Sequence, residues 1–214
     1  MTLQPYSTRI MTWALLASFI PGLAGCFGAV GVGVGAGALL ATDRRPSETY
    51  LTDEAIEVRA ANRIKDQFGK KVNVVVTSYN RSVLLVGQVP DAASKSAVEK
   101  IVGGVPNVKA ISNELQVAGQ TSFGTDSNDA YITTKVKARF IDANRFATNH
   151  VKVVTVAGTV YLLGIVTKRE ADAAADIART TGGVLKVVRV FEIISEEQAR
   201  QLDNRPSAEA PQKK

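Results

Sequence analysis

Val72 to Val89 reads VNVVVTSYNRSVLLVGQV, and Val151 to Val166 reads VKVVTVAGTVYLLGIV. Each stretch is two β-branched, apolar runs parted by a turn, the pattern of a β-hairpin. Each also carries a glycine near its end, Gly87 answering Gly164. The likeness extends outward in both directions. Upstream, Asp53-Glu54-Ala55-Ile56 opens a segment with Ile56, Ala60 and Ile64 on one helical stripe, and Asp129-Ala130-Tyr131-Ile132 opens one with Ile132, Val136 and Phe140. Downstream, each copy has a second helical stretch, Ala92 to Val102 and Arg169 to Thr181. A glycine pair follows, Gly103-Gly104 or Gly182-Gly183, and then a last strand near Val108 to Val117 or Lys186 to Ile194.

The chain is therefore an internal repeat. The expected fold class is α+β: two tandem units ordered helix, strand, strand, helix, strand, each a small three-stranded sheet covered by two helices. The first unit is placed at residues 48–119 and the second at 129–196. Between them, residues 120–128 lie in a polar, turn-rich linker short enough that the units are expected to touch. Residues 197–214 read as a disordered tail. Asp53 and Asp129 are expected near helix N-termini, where the helix dipole favours negative charge.

Ahead of the repeat, Met11 to Leu23 is a short apolar run behind Arg9, broken by Pro21 and Gly22. It is too short to span a bilayer, which takes about 20 apolar residues, and reads as a secretory signal over residues 1–25. The chain's one cysteine, Cys26, ends Leu23-Ala24-Gly25-Cys26, which resembles the lipobox of bacterial lipoproteins. That resemblance implies a diacylglyceryl group on the Cys26 thiol, cleavage just before it and acylation, as by palmitate, of the new amino group. Phe27, where lipoproteins kept in the inner membrane typically carry Asp, implies the outer membrane. Residues 26–47 then form a glycine-rich tether, ending in the polar shift at Asp43-Arg44-Arg45-Pro46-Ser47. Gly31, Gly33, Gly35 and Gly37 imitate a dinucleotide-binding loop, but no strand precedes them and no βαβ unit follows, so no cofactor is expected.

The tandem unit itself, with Leu84-Leu85-Val86-Gly87 and Leu162-Leu163-Gly164 followed by an alanine-rich helix and a Gly-Val turn, resembles the BON domain. Two such units behind a lipobox resemble the dual-BON-domain outer-membrane lipoproteins, the division and outer-membrane stress-associated lipid-binding family. Val83 to Val89 and Ile132-Thr133-Thr134-Lys135-Val136 carry this resemblance. It implies a lipid-anchored, periplasm-facing protein that binds phospholipid, anionic above all, and supports the envelope under stress and in cell division.

Composition fits a protein without chemistry to perform. The 45% hydrophobic fraction is enough for a core, and with 21% charged residues only a local segment can attach to a membrane. The single histidine, His150, opens a predicted strand with no thiol or second imidazole to complete a metal site. No nucleophile has a base and an orienting partner, so neither an enzyme nor a small-molecule substrate is expected. The net charge of +6 is spread almost evenly and not concentrated on one face, so it is no nucleic-acid footprint, and its mild basic balance suits an acidic lipid surface.

One helix offers a binding face. With Ile132, Val136 and Phe140 turned inward, 100° per residue throws Tyr131, Thr134, Ala138 and Ile141 outward. Lys135 and Lys137 lie on the flanks of that stripe and Arg139 lies nearer the core, so apolar tips could enter a headgroup layer while cations meet phosphates. Equivalent positions in the first unit, Ala55, Val58, Asn62 and Lys65, are more polar. Phe146, in the Asn144-Arg145-Phe146 turn, is a further candidate, with burial the equal alternative. The opposing reading is that Tyr131 and Ile141 pack against the other unit or edge their own core. In the rival function the stripe docks an envelope-assembly or cell-wall protein, and lipid is only the anchor.

Overall fold

A computed structural model describes residues 43–118 and 127–205. The signal, Cys26, the tether to residue 42, residues 119–126, which hold most of the linker, and residues 206–214 lie outside the described residues; the linker's last two residues, 127 and 128, open a helix. No described helix is long and apolar enough to cross a membrane.

The first copy runs α1 (Ser47–Phe68), β1 (Asn73–Tyr79), β2 (Ser82–Val89), α2 (Ala92–Gly103), β3 (Ala110–Asn113) and β4 (Gln116–Val117). The second runs α3 (Ser127–Ala143), β5 (Val151–Val156), β6 (Thr159–Thr167), α4 (Lys168–Arg179) and β7 (Lys186–Ile194), and α5 (Glu196–Asp203) follows. The α+β repeat stands as expected. In each sheet the hairpin's second strand is central, antiparallel to its hairpin partner and parallel to the last strand. The last strand of the first copy is interrupted where Leu115 turns into the core, 1% exposed.

Both hairpins turn on two residues of positive φ, Asn80 (51°) and Arg81 (65°) in the first and Ala157 (50°) and Gly158 (72°) in the second. This is the geometry of a type I′ turn, whose twist matches that of the strands it joins. In each copy one aspartate holds that turn. Asp53 accepts from the backbone N–H of Asn80 (2.8 Å) and Arg81 (2.7 Å) and from the Ser78 hydroxyl (2.7 Å). Asp129 accepts from the N–H of Ala157 (2.7 Å) and Gly158 (2.9 Å). The expectation of Asp53 at a helix N-terminus is corrected, because α1 begins six residues earlier, at Ser47 behind Pro46. Its carboxylate satisfies turn amides and not the helix end.

The repeated glycine has a steric reason. A Cβ on Gly87 would sit 2.0 Å from the Asn73 carbonyl oxygen, and one on Gly164 2.3 Å from that of His150. At both places the neighbouring strand approaches too closely for any side chain.

The helices of each copy cover one face of its sheet. Val83, Leu85 and Val89 pack with Ile56, Ala60 and Ile64, while Val160, Leu162 and Val166 pack with Ile132, Val136 and Phe140. The alternate residues face the other way and meet across a seam: Tyr79, Leu84 and Val86 from the first sheet join Tyr161, Leu163 and Ile165 from the second in one buried cluster. The two domains thus touch through their sheets. A strand buried on both faces has no polar alternation to show, as in the unbroken runs at Val83 to Val86 and Val160 to Leu163.

Disorder from residue 197 is corrected for residues 197–203, which are helical. Ser195 and Gln198 form a reciprocal capping box, with Ser195 Oγ accepting from Gln198 N (3.1 Å) and Gln198 Oε1 accepting from Ser195 N (2.9 Å). Ala199 is buried and Leu202 packs against the seam, which gives this short polar helix the apolar contact it needs.

Candidate membrane-facing site

The core stripe of α3 is buried to within 1% exposure at Ile132, Val136 and Phe140. Helical geometry then turns Tyr131, Thr134, Ala138 and Ile141 outward, and all four are exposed, Tyr131 at 61% and Ile141 at 65%. The Thr134 hydroxyl donates to the Ala130 carbonyl (2.9 Å), so it is used within its own helix.

The three cations divide. Lys137 is exposed, with no ion pair among the described residues. Lys135 lies over the Tyr131 ring, 5.2 Å from its centroid, and donates to the Gly182 carbonyl (2.9 Å). Arg139 donates to the Ile177 carbonyl (3.1 Å) and the Thr181 hydroxyl (2.9 Å). Lys135 and Arg139 therefore bind oxygens at and beyond the C-terminal end of α4, where carbonyls lack helical partners. The glycine pair after α4 is the sequence signal for that need, and it is not a signal that names the donors.

Phe146, a candidate at the sequence level, is buried at 8% exposure and packs edge-on against Phe140 with centroids 5.0 Å apart. It belongs to the core. His150 is buried ahead of β5 and stands beside an ionic cluster, 3.9 Å from Glu170 and 3.7 Å from Asp203. The centre of that cluster is Arg44, 3% exposed. Burial alone would raise the Glu170 carboxyl; nearby His150 and hydrogen bonds from Arg44 and from the Thr167 amide hold it well below the usual carboxylate range. Among the described residues no group of three His, Cys, Asp or Glu side chains could hold a metal ion.

The first domain also presents an outward stripe, larger than its sequence suggests. Because α1 starts at Ser47, Leu51 joins Val58 on the outer face, at 71% and 58% exposure; Ala55 is half-buried, while Asn62 and Lys65 are exposed. Pro46 at the N-cap, with Glu48 in the first turn, is a helix-start signal that locates this extra turn and a half. The two helices differ in total charge, although Asp53 of α1 is buried and Glu57 pairs with Lys152. On α1, Glu48, Asp53, Glu54, Glu57 and Asp66 outnumber Arg59, Arg63 and Lys65; on α3, Lys135, Lys137 and Arg139 outnumber Asp129 and Asp142.

Residues 52–119 and 128–195 each match the BON domain family. The chain is 39% identical over 196 residues to "Outer membrane lipoprotein DolP" of Haemophilus influenzae, covering 91% of this chain and 100% of that one. It is 34% identical to "21 kDa hemolysin" of Actinobacillus pleuropneumoniae, covering 71% of this chain and 79% of the other. Against "Osmotically-inducible protein Y" of Escherichia coli the identity is 29%, covering 64% and 71%.

Proposed function

The chain belongs to the dual-BON-domain outer-membrane lipoproteins, and from that premise we propose that its second domain binds anionic phospholipid through the outer face of α3. The observation that carries this reading is the exposure of Tyr131 and Ile141 on a basic helix. A tyrosine at a bilayer surface keeps its ring among apolar groups and its hydroxyl in water. Ile141 and Ala138 extend the apolar contact along the helix, and Lys137 meets headgroup phosphate. Lys135 and Arg139 add positive potential while holding the end of α4. No bond is made or broken: the protein is a binding module, lipid-anchored in the outer membrane and facing the periplasm, that supports envelope integrity.

The test is vesicle flotation of the mature chain with Cys26→Ser, so that acylation contributes nothing. The parent is expected to float with anionic vesicles and not with neutral ones, and a Tyr131→Glu plus Ile141→Glu variant to remain at the bottom with both. Equal flotation of parent and variant would remove α3 as the contact.

One observation favours a second reading, an adaptor that docks an envelope-assembly or cell-wall protein. Leu51 and Val58 are exposed on the outer face of α1, where the exposed charges, Glu48, Glu54 and Asp66 against Arg59, Arg63 and Lys65, balance and offer an anionic bilayer no net attraction. In that case a Leu51→Glu plus Val58→Glu variant keeps its vesicle binding and loses a protein cross-link made by the parent in cells.

A further inference from the structure

The chain order is anchor, tether, first domain, linker, second domain, so the covalent route from Cys26 to α3 passes through the whole first domain. Two adjacent arginines offer a shorter one. Arg45 faces the first domain: it donates to Asp53 (3.0 Å) and Asp43 (2.7 Å), and its guanidinium carbon lies 4.0 Å from the centroid of the Tyr79 ring. Arg44 faces the second domain. Its Nη1 donates to Glu170 Oε2 (2.6 Å) and to the Ile165 carbonyl (3.0 Å), its Nη2 to Glu170 Oε1 (3.1 Å) and Asp203 Oδ2 (3.0 Å), and its Nε to Asp203 Oδ1 (2.7 Å). A guanidinium has five N–H donors, and every one is engaged. Two carboxylates grip it bidentately, one from the start of α4 and one from the end of α5, an arrangement that fixes direction as well as attraction.

The apolar seam between the sheets brings the domains together, but burial of apolar surface is non-directional and does not by itself select one angle between two sheets. Among the described residues few polar contacts cross from one domain to the other: Lys152 donates to Glu57 (3.0 Å) and to the Ser78 carbonyl (3.4 Å), and Asn80 donates to Glu192 (2.6 Å) at an exposed edge. The Arg44 cluster is the buried one, and it joins the second domain to the segment that enters the first.

We propose that Arg44 is a positioning residue, a clasp that bypasses the first domain and fixes the second domain directly to the root of the lipid-bearing tether. With the clasp closed, the two domains and the tether root hold one arrangement. With it open, the second domain is held by the linker, the apolar seam and the peripheral Lys152 and Asn80 contacts, and samples a range of angles.

The test is a distance distribution between spin labels at Asn62→Cys on α1 and Asp142→Cys on α3, both exposed sites. It is measured by pulsed electron resonance on the full lipidated chain in bilayer nanodiscs, where acylated Cys26 takes no label. The parent is expected to give one narrow distribution. An Arg44→Gln plus Glu170→Gln variant, which removes both charges and so leaves neither stranded, is expected to broaden it at least about twofold, domain motion being the default where an interface does not prevent it. Arg44→Lys keeps the charge but loses the planar fork, and is expected to broaden it less; it carries the test if the double variant does not fold. Arg189→Gln, which loses a surface contact to Asp172 within the second domain (2.7 Å), is expected to match the parent. An unchanged width in folded clasp variants, or equal broadening by Arg189→Gln, overturns the proposal.

Discussion

Ala157 holds a φ of 50° beside Gly158 in the second hairpin turn. An L-residue with a Cβ pays roughly 1–2 kcal/mol in that left-handed region, and glycine does not. Ala157→Gly, whose N–H still reaches Asp129, is expected to raise stability by about 0.5–1 kcal/mol in a urea titration, the added freedom of the unfolded chain offsetting part of the gain. Gly158 does not offer the same opportunity in reverse, since a Cβ there would lie 2.8 Å from Leu185 Cδ1. Gly164→Ala meets backbone and not a movable side chain, and is expected to cost roughly 2–4 kcal/mol, at the upper end for single substitutions. A Gly164→Ala protein as stable as the parent would mean that the β5 and β6 strands separate more easily than their register implies.

At the scale of elements, the face of α3 is separable from the fold. Tyr131 and Ile141 are exposed, so their replacement by Glu is expected to leave the unfolding midpoint within about 0.5 kcal/mol of the parent's stability, while flotation changes. Binding to anionic vesicles should also weaken as salt rises, since the exposed Lys137 is screened over about 10 Å at 0.1 M; flotation indifferent to salt would point to an apolar contact alone. The elements themselves were legible in the sequence, because 3.6-residue stripes and β-branched runs recur twice and each copy checks the other. The outward stripe was legible too, since it follows from the inward one by rotation. What periodicity could not supply was how the groups are used. Lys135 and Arg139 read as cations on a surface, and only the proximity of α4, more than thirty residues on, makes them ligands of its carbonyls. Phe146 reads equally as an exposed turn residue or a buried one until Phe140 is placed against it. Residues 197–203 are polar enough to pass for a tail; the capping box at Ser195 and Gln198 is local, but the contacts of Leu202 with the seam and of Asp203 with Arg44 are ones that no local pattern encodes.

At the scale of the molecule, the ionic cluster ties stability to pH. Glu170, held below its ordinary value of 4.5, contributes stability that is fully present above that value and lost as pH falls below it towards the depressed pKa. The parent is therefore expected to weaken below about pH 4.5, and the Arg44→Gln plus Glu170→Gln variant to lack that part of the acid limb, by thermal unfolding at about pH 7 and about pH 3.5. At neutral pH, Arg44→Ala alone strands the buried Glu170 carboxylate and is expected to cost about 3–5 kcal/mol, more than the double variant. Equal losses in the two would mean that packing around residue 44, and not its charge, is what matters.

The seam between the sheets bears on how such a chain can change over time. Leu84 and Val86 in one copy correspond to Tyr161 and Leu163 in the other, so the same face of a duplicated unit meets itself, as in a two-fold dimer made covalent. A solitary copy would present that face bare and would need a second molecule to cover it. Fused, the pair covers its own sheets at any dilution, and the shared requirement is confined to the interior. The outer helices are then released from having to match each other, and here they differ, Leu51 and Val58 lying outward on one and Tyr131 and Ile141 on the other.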